Sequence, residues 1–507
     1  MKRRRFRLSD TALLLLAAAA GFAGAAAYVA YAALRGHFGF PLDDAWIHQT
    51  YARNLAQTGA WAYVPGQASA GSTSPLWTLL ISVGYAVGVP YRWWAAILGG
   101  LSVALVGFLA GRLAKQLFPQ TRAAWVAALA CALEWHILWA GASGMETALF
   151  AALCLGVMSG GLALVSESRP ARWLLWGALG GLAFLTRPEG IIPLALSGLA
   201  LVVARRKDFV GGGWQGAAAR FALAAVGFLV LTVPYVVFNW RVSGALFPNT
   251  FYAKQAEYRE MIAALPWHIR ALRVAGVQFV GGAALLIQGI LAAWVQVWRR
   301  RNWLAVLPLA WWLVAVLLYA FRLPVTYQHG RYQMPVIPIL IVYGVPGMEW
   351  LVSRASAALE RVAVRALALA AAVVFLAFVA VGAQTYLNDV RIIDTEMVDV
   401  AHWLDVNTPQ DATLAVHDIG AIGYFTERRL LDLAGLVSPE VVPFIRDEDN
   451  LFEYIRAQGA SYLVTFPSWY PEMTARPEAH LAYQTDSPWT IRAGGDNMAV
   501  YELRFTK

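Results

Sequence analysis

The chain has 507 residues, of which 59% are hydrophobic and only 14% are charged, and its mean hydropathy is +0.53. Soluble domains carry roughly 25% charged residues, so this composition excludes an ordinary soluble protein and predicts a chain that is embedded in a membrane over most of its length. The net charge of +9 is uneven, because residues 385–507 carry 19 acidic and only 9 basic residues. The basic excess elsewhere lies in short loops between apolar segments, which indicates membrane topology and no nucleic-acid partner.

The first apolar segment, 11–34, has no charged residue and is long enough to cross a bilayer, which requires about 20 residues. No small-residue cleavage site followed by a soluble domain comes after it, so we predict a retained helix rather than a removed signal. The basic sequence MKRRRFR before it predicts a cytoplasmic N-terminus. Eleven further apolar segments lie at 75–90, 93–111, 123–140, 145–165, 173–186, 188–204, 219–240, 273–297, 303–321, 333–352 and 363–384.

The number of crossings depends on the side of the membrane on which each end lies. A cytoplasmic start and an external C-terminal region require an odd number, so we predict eleven or thirteen transmembrane helices. Segment 75–90 is short enough to re-enter the membrane, and the pair 173–186 and 188–204, broken at TRPEG, is a candidate for two half-helices. The predicted outer loops are 35–74, 241–272 and 322–332.

These patterns predict a polytopic α-helical membrane domain at 1–384, with outer loop 35–74, and an extracytoplasmic α/β domain at 385–507. In the second domain, TEMVDVAHWLDVN has helical spacing, and NLFEYIRAQG predicts a helix that a glycine ends. ATLAVHDIGAIGYF predicts a strand followed by a glycine-rich turn. RRLLDLAG and ASYLVTF predict two more strands.

Two adjacent carboxylates in the sequence FPLDDAWIHQTYARNLAQTG are the strongest candidates for chemistry. Asp44, His48 and Tyr51 share one face if 44–57 is helical, so acid and imidazole would lie together. A helix N-cap explains one aspartate, but not two. We therefore predict that Asp44 is a general base, while Asp43 caps the helix or holds acceptor or metal.

Polar residues near the predicted membrane surface could hold a phosphate or a sugar. Ser72, Thr73 and Ser74 lie in a turn-rich stretch, which is also typical of a helix entry with Ser74 as the cap and Pro75 as the first helical residue. Membrane-depth ionisable residues are costly and point to function, and Glu146 and Arg187 lie in short turns on the predicted outer side. Mutual pairing of such residues is the alternative.

The later outer loops, LFPNTFYAK and TYQHGRYQMP, add cations and phenols that suit a lipid phosphate, although one such loop alone would be a solvated surface. Asp418 precedes two glycines at the end of a predicted strand, where binding groups are common, but it could instead hold its own turn. The predicted phosphate ligands are Arg331, Lys254, Arg187 and His329, and the predicted substrate-binding residues are His48, Tyr51, Ser72, Thr73, Ser74, Glu146, Tyr252, Tyr332 and Asp418.

Seven motifs follow in order: DDAWIHQTYARNLAQTG, AGSTSPLWTLL, SGMET, TRPEG, PNTFYAK, GRYQMPVIP and HDIGAIGYFTERRLLDLAGLVSP. Together they resemble the integral-membrane glycosyltransferases of the GT-C superfamily, and are most similar to the branch of the actinobacterial terminal arabinofuranosyltransferases. The resemblance implies a plasma- or inner-membrane enzyme that transfers a sugar from a polyprenyl-phosphate donor to a glycan or glycolipid acceptor on the outer face. It also implies a catalytic aspartate in the first outer loop, at Asp43 or Asp44.

The sequence AYVPGQASAGSTSP departs from the arabinofuranosyltransferase pattern, so an arabinofuranosyl donor and a mannosyltransferase-like activity both stay open. One base favours inversion, although two adjacent acids do not exclude retention. A divalent cation stays open as a cofactor. Two other classes stay open: a transporter, against which the lack of paired repeats counts, and a glycan-binding assembly protein without catalysis.

Overall fold

A computed structural model describes residues 8–207 and 213–505. The sequence MKRRRFR, which predicts the cytoplasmic N-terminus, lies outside these residues. The described α-helices of six or more residues before residue 394 are α1 (Asp10–Leu34), α2 (Asp44–Thr58), α3 (Pro75–Ala86), α4 (Tyr91–Leu117), α5 (Ala124–Ala132), α6 (Trp135–Ala142), α7 (Thr147–Leu164), α8 (Pro170–Thr186), α9 (Ile191–Ala204), α10 (Trp214–Ser243), α11 (Asn249–Glu257), α12 (Arg259–Ala264), α13 (Trp267–Gly276), α14 (Ile287–Arg300), α15 (Leu307–Arg322), α16 (Ile337–Val352) and α17 (Ala357–Ile393).

Within the described residues, eight helices are long and apolar enough to cross a membrane, or nine if α5 and α6, bent by 49° at their break, form one span. The predicted polytopic helical fold is confirmed. The predicted eleven to thirteen crossings stay a prediction, because the eight helices are counted by length and composition alone and three further apolar helices are shorter: α3 has 12 residues, α8 has 17 and α9 has 14. Each of α3 and α8 begins with a proline, which favours a helix start.

The first loop, residues 35–74, carries helix α2 and a small hairpin of strands β1 (Ala62–Val64) and β2 (Gln67–Ala68). Helix α2 ends at Thr58 and is capped by Gly59, whose φ of 70° is the left-handed conformation that glycine adopts readily. Helix α2 packs on α3 and on the C-terminal part of the chain, so the loop that carries the aspartate pair is enclosed on both sides.

Helix α17 runs without a break across the predicted domain boundary, between residues 384 and 385, into the tail (residues 385–507). The structure describes the tail up to residue 505. Its other elements are helices α18 (Asp399–Asn407), α19 (Gly420–Phe425), α20 (Glu448–Ala457), α21 (Pro471–Thr474) and α22 (Pro488–Arg492), and strands β3 (Thr413–Val416), β4 (Arg429–Asp432), β5 (Tyr462–Thr465), β6 (Ala479–Gln484) and β7 (Ala499–Leu503).

The five strands form one sheet in the order β4-β3-β5-β7-β6. Strand β3 is parallel to β4 and β5, whereas β7 is antiparallel to β5 and β6. The three predicted strands are confirmed as β3, β4 and β5. Strands β6 and β7 were not expected from the sequence. The predicted glycine-rich turn after β3 instead contains a short helix, α19, at Gly420–Phe425.

Candidate active site

Asp44 is the first residue of α2, and its carboxylate contacts two cations that come from distant parts of the chain. Its Oδ2 accepts a hydrogen bond from Nη2 of Arg331 and lies 3.7 Å from Nζ of Lys254. Burial alone would raise the pKa of Asp44, but Arg331 and Lys254 outweigh it and hold this pKa well below its usual range. The Asp44 carboxylate is therefore charged at neutral pH.

The cations beside Asp44 have more hydrogen-bonding capacity than this carboxylate uses. Tyr332 OH lies 2.9 Å from Nη2 of Arg331 and accepts a hydrogen bond from Nζ of Lys254 at 2.7 Å. Within the described part of the chain, Nε and Nη1 of Arg331 and Nη1 of Arg187 are buried without a hydrogen-bond partner. Buried guanidinium N–H groups are costly to leave unpaired, so their arrangement suits an anionic ligand.

Arg187 is held by Glu146, as the alternative of mutual pairing predicts. Nε and Nη2 of Arg187 each lie 2.7 Å from Oε1 of Glu146, and Nη2 also donates to Thr147 at 2.9 Å. His48 lies one helical turn after Asp44 and places its Nε2 3.5 Å from Oε2 of Glu146. These side chains connect α2 to α7 and α8 beneath Asp44.

Replacing Glu146 with glutamine should destabilise the fold by about 3–5 kcal/mol, because Arg187 then stays buried without its counter-charge. The two side chains are only 4% and 7% exposed. The measurement is the thermal unfolding midpoint of the detergent-solubilised protein. Glu502→Gln is the matched control: it breaks an ion pair with Arg504 whose side chains are 42% and 62% exposed, and should leave the midpoint unchanged. Equal midpoints for both variants would contradict the expectation.

Two cavities meet at Asp44, which lines both of them together with Lys254 and Arg331. The first has a volume of about 360 Å³ and mainly apolar walls, which include Phe184, Ile191, Ile192, Phe247 and Leu318. Its polar lining includes Thr73, Glu146, Arg187 and Tyr332.

The second cavity lies between the first loop and the tail and has a volume of about 560 Å³. It is more polar than the first: Asp43, Glu257, His417, Asp418 and Trp469 are among its lining residues. In the described chain, Oδ2 of Asp418 is buried without a hydrogen-bond partner. Burial and the neighbouring acids, Asp43 first among them, raise the pKa of Asp418 well above its usual range.

Asp43 occupies the N-cap position of α2, but its side chain makes no capping hydrogen bond there. The predicted cap on α2 is therefore not found. The carboxylate instead accepts hydrogen bonds from the backbone N–H groups of Gly420, at 2.6 Å, and Ala421, at 2.7 Å, both in the tail. Burial, reinforced by the adjacent Asp44 charge, raises the pKa of Asp43 to about 7, although these two hydrogen bonds oppose the shift.

Several predicted site residues lie outside both cavities. His329 pairs with Asp389 at 2.7 Å, and Tyr252 is 40% exposed. Tyr51 is buried, and its hydroxyl accepts a hydrogen bond from the backbone N–H of Gly71 at 3.1 Å.

Of Ser72, Thr73 and Ser74, only Thr73 lines one of these two cavities. The Ser72 hydroxyl lies 3.1 Å from that of Thr78. Pro75 begins α3 as predicted, but Ser74 makes no side-chain cap, and its hydroxyl is buried without a partner among the residues described. These residues shape the loop instead of facing the cavities, with the exception of Thr73.

The sequence did not single out several residues of the second cavity. Glu257 pairs with Arg446 at 3.3 Å, and burial raises the pKa of Glu257. Trp469 and Tyr470 follow the carboxyl end of β5, beside the end of β3 that carries Asp418. Binding groups collect at the carboxyl ends of parallel strands, so the sequence PSWY after the ASYLVTF strand was the available signal.

Across residues 8–207 and 213–505, no group of three or more His, Cys, Asp and Glu side chains is arranged to hold a metal ion.

Comparison with known proteins gives one sequence match. A family model described as a domain of unknown function (DUF8728) matches residues 389–501, which is nearly the whole tail. No curated protein matches the sequence.

Solved structures are similar over most of the chain. ArnT from Cupriavidus metallidurans bound to undecaprenyl phosphate has a TM-score of 0.59 and 17% identity, with 97% of this chain and 98% of that one covered. The oligosaccharyltransferase of Archaeoglobus fulgidus in the apo form has a TM-score of 0.62 and 14% identity, with 90% of this chain and 69% of that one covered.

The arabinofuranosyltransferase AftD from Mycobacteria has a TM-score of 0.48 and 15% identity, with 99% of this chain and 40% of that one covered. The predicted resemblance is confirmed at the level of the fold. The chain is a multi-pass membrane protein with the fold of the GT-C glycosyltransferases.

Proposed function

We propose that this chain is a membrane glycosyltransferase that transfers a sugar from a polyprenyl-phosphate donor to a glycan or glycolipid acceptor on the outer face of the plasma or inner membrane. The observation that carries the proposal is the position of Asp44. Its carboxylate lies where a mainly apolar cavity meets a more polar one, between two cations that line both. A lipid-linked donor and a hydroxylated acceptor require two such compartments with a base between them.

The first cavity suits the donor. Its apolar walls would take the first part of a polyprenyl chain, and its polar end offers the unpaired N–H groups of Arg331 and Arg187, together with Lys254, to a phosphate. ArnT, which is similar in fold, has been solved with undecaprenyl phosphate, and this likeness supports the same class of lipid here. The donor sugar is a pentose or a hexose.

In the proposed reaction, Asp44 takes the proton of the acceptor hydroxyl as that oxygen bonds to the anomeric carbon. The bond between this carbon and the phosphate oxygen breaks, and polyprenyl phosphate leaves with its electron pair. Arg331, Lys254 and Arg187 stabilise the phosphate charge that develops. A single displacement of this kind inverts the anomeric centre.

Asp44 is a weak base while Arg331 and Lys254 neutralise it, because they hold its pKa low. Donor phosphate competes for the same two cations. Once they turn to the phosphate, the pKa of Asp44 rises towards its ordinary value and the carboxylate becomes a better base. The proposal therefore links activation of the base to the presence of donor.

The test is incubation of the purified protein, in nanodiscs, with a panel of polyprenyl-phosphate pentoses and hexoses and with glycan acceptors. Mass spectrometry should detect released polyprenyl phosphate and one elongated acceptor. A parallel arm with EDTA decides whether a divalent cation is required. Transport of donor into proteoliposomes without any release would favour a transporter, and binding of glycan without release would favour an assembly protein.

A further inference from the structure

The glycine-rich sequence HDIGAIGYF has no part in the proposed chemistry, yet its end, residues 419–425, contacts the helix that begins with Asp44. The contact centres on Asp43, whose carboxylate accepts backbone hydrogen bonds from Gly420 at 2.6 Å and Ala421 at 2.7 Å. Asp43 is only 8% exposed. Hydrogen bonds to a buried charge are the stronger kind, so this connection is well placed to hold the loop.

Other side chains of the first loop fix the same tail segment. The Tyr63 hydroxyl donates to the carbonyl of Ile419. Arg53 donates to the carbonyl of Tyr424 at 2.8 Å, and the Trp46 ring packs against the Tyr424 ring at 4.9 Å. The segment is thus attached to the first loop at several points along its length.

Two glycines permit this close approach. A Cβ atom at Gly420 would clash with the main-chain oxygen and the carboxylate of Asp43, and a Cβ atom at Gly423 would clash with the Tyr63 hydroxyl. Neither glycine has a positive φ. The sequence requirement at these two positions is therefore for space against the first loop, and not for a left-handed backbone.

We propose that Asp43 is a positioning residue. Residues 419–425 of the tail bind its carboxylate through backbone hydrogen bonds, and this contact fixes the carboxylate of the adjacent Asp44 between the two cavities. This inference rests on the proposed function, because the position of Asp44 matters only for the transfer reaction. It makes the tail part of the active-site scaffold. A displacement of about 1 Å in such a site can cost on the order of 100-fold in rate.

The test compares Asp43→Asn and Gly420→Ala with Gly276→Ala, a control whose added methyl group would meet no heavy atom within 4 Å. Amide hydrogen exchange of peptides covering residues 40–50 should become faster in the two test variants and stay unchanged in the control. In the transfer assay, kcat should fall about 10- to 100-fold in the test variants, while binding of undecaprenyl phosphate stays unchanged.

A pH profile separates positioning from simple structural support. Asp43 faces the carboxyls of Asp44 and Asp418 and the hydroxyl of Tyr63. The pKa of Asp43 is raised to about 7, so the wild-type carboxylate takes up a proton as the pH falls through that value and loses the charge that the two backbone N–H groups bind. The kcat/KM of the wild type should therefore fall as the pH drops through about 7, and Asp43→Asn, which has no carboxylate to protonate, should lack this step. A merely structural contact would give the same pH profile in both proteins.

Tyr63→Phe removes one hydroxyl and keeps the ring, so it tests the same contact if a harsher variant fails to fold. It should also speed exchange in residues 40–50. Unchanged exchange and wild-type kcat in folded variants would overturn the inference. Full activity of Asp43→Asn beside an inactive Asp44→Asn would overturn this inference alone, whereas an active Asp44→Asn would overturn the proposed function.

Discussion

Replacing Asp44 with asparagine should lower kcat for sugar transfer by roughly 100- to 10,000-fold, the usual contribution of a general base. Asparagine keeps the shape of the side chain and an oxygen that can accept from Arg331, but it cannot take the acceptor proton. Binding of undecaprenyl phosphate should become tighter, because Arg331 and Lys254 lose the carboxylate that competes with the phosphate for them. The two effects are measured as kcat in the mass-spectrometric assay and as a dissociation constant in nanodiscs.

Asp411→Asn is the matched control, since Asp411 is exposed on the tail. It should change neither kcat nor the affinity for undecaprenyl phosphate. A near wild-type kcat for a folded Asp44→Asn variant would show that another group takes the proton. Weaker lipid binding in that variant would contradict the competition between the carboxylate and the phosphate.

The sequence predicts much of the candidate site because its residues collect in loops assigned to one side of the membrane. The basic residues in the short loops between apolar segments predict which loops are cytoplasmic and, by exclusion, which are external. This prediction by itself places Asp44, Lys254, Arg187 and Arg331 on the same side of the membrane. Three of these side chains then meet within a few ångströms in the structure. Individual side-chain directions are not encoded in this way, so His329, in the same loop as Arg331, pairs with Asp389 instead.

The role of Asp43 shows what local sequence cannot predict. Its position before α2 favours an N-cap by local rules, but its hydrogen-bond partner Gly420 is 377 residues away in the chain. The glycines of HDIGAIGYF predict a turn, whereas their close contact with the first loop depends on how the tail packs on the membrane part. A contact between residues so far apart in the chain produces no periodic pattern in the sequence, so the sequence does not predict it.

The sequence did not predict strands β6 and β7. Strand β6 is largely exposed, with Leu481 58% exposed. A strand that buries neither face does not need regular alternation of apolar and polar residues, and its sequence, AHLAYQ, lacks that alternation. The predicted number of membrane crossings stays a prediction, because apolar length alone does not distinguish a full span from the shorter helices α3, α8 and α9.

Arg331 should be the most important cation for donor binding, and its replacement should have two separate effects. Its side chain is 3% exposed, and in the described chain two of its guanidinium nitrogens have no partner. Charge-assisted hydrogen bonds contribute about 1.5–3 kcal/mol each, so Arg331→Ala should weaken undecaprenyl phosphate binding on the order of 10- to 100-fold. Arg331→Lys keeps the charge but loses the paired donors, and should recover only part of this affinity.

The second effect of Arg331→Ala concerns the base. In the donor-free protein Arg331 is the largest influence that lowers the pKa of Asp44 against its burial, so the variant should raise this pKa and move the acid limb of kcat/KM to higher pH. The Asp44 carboxylate would then become protonated, and stop acting as a base, at a higher pH than in the wild type. Arg504→Ala, at an exposed tail position, is the control and should change neither property. Wild-type lipid affinity together with an unmoved acid limb in Arg331→Ala would place both the phosphate and the base elsewhere, because a single guanidinium that contacts Asp44 and lines the donor cavity cannot be removed without affecting at least one of them.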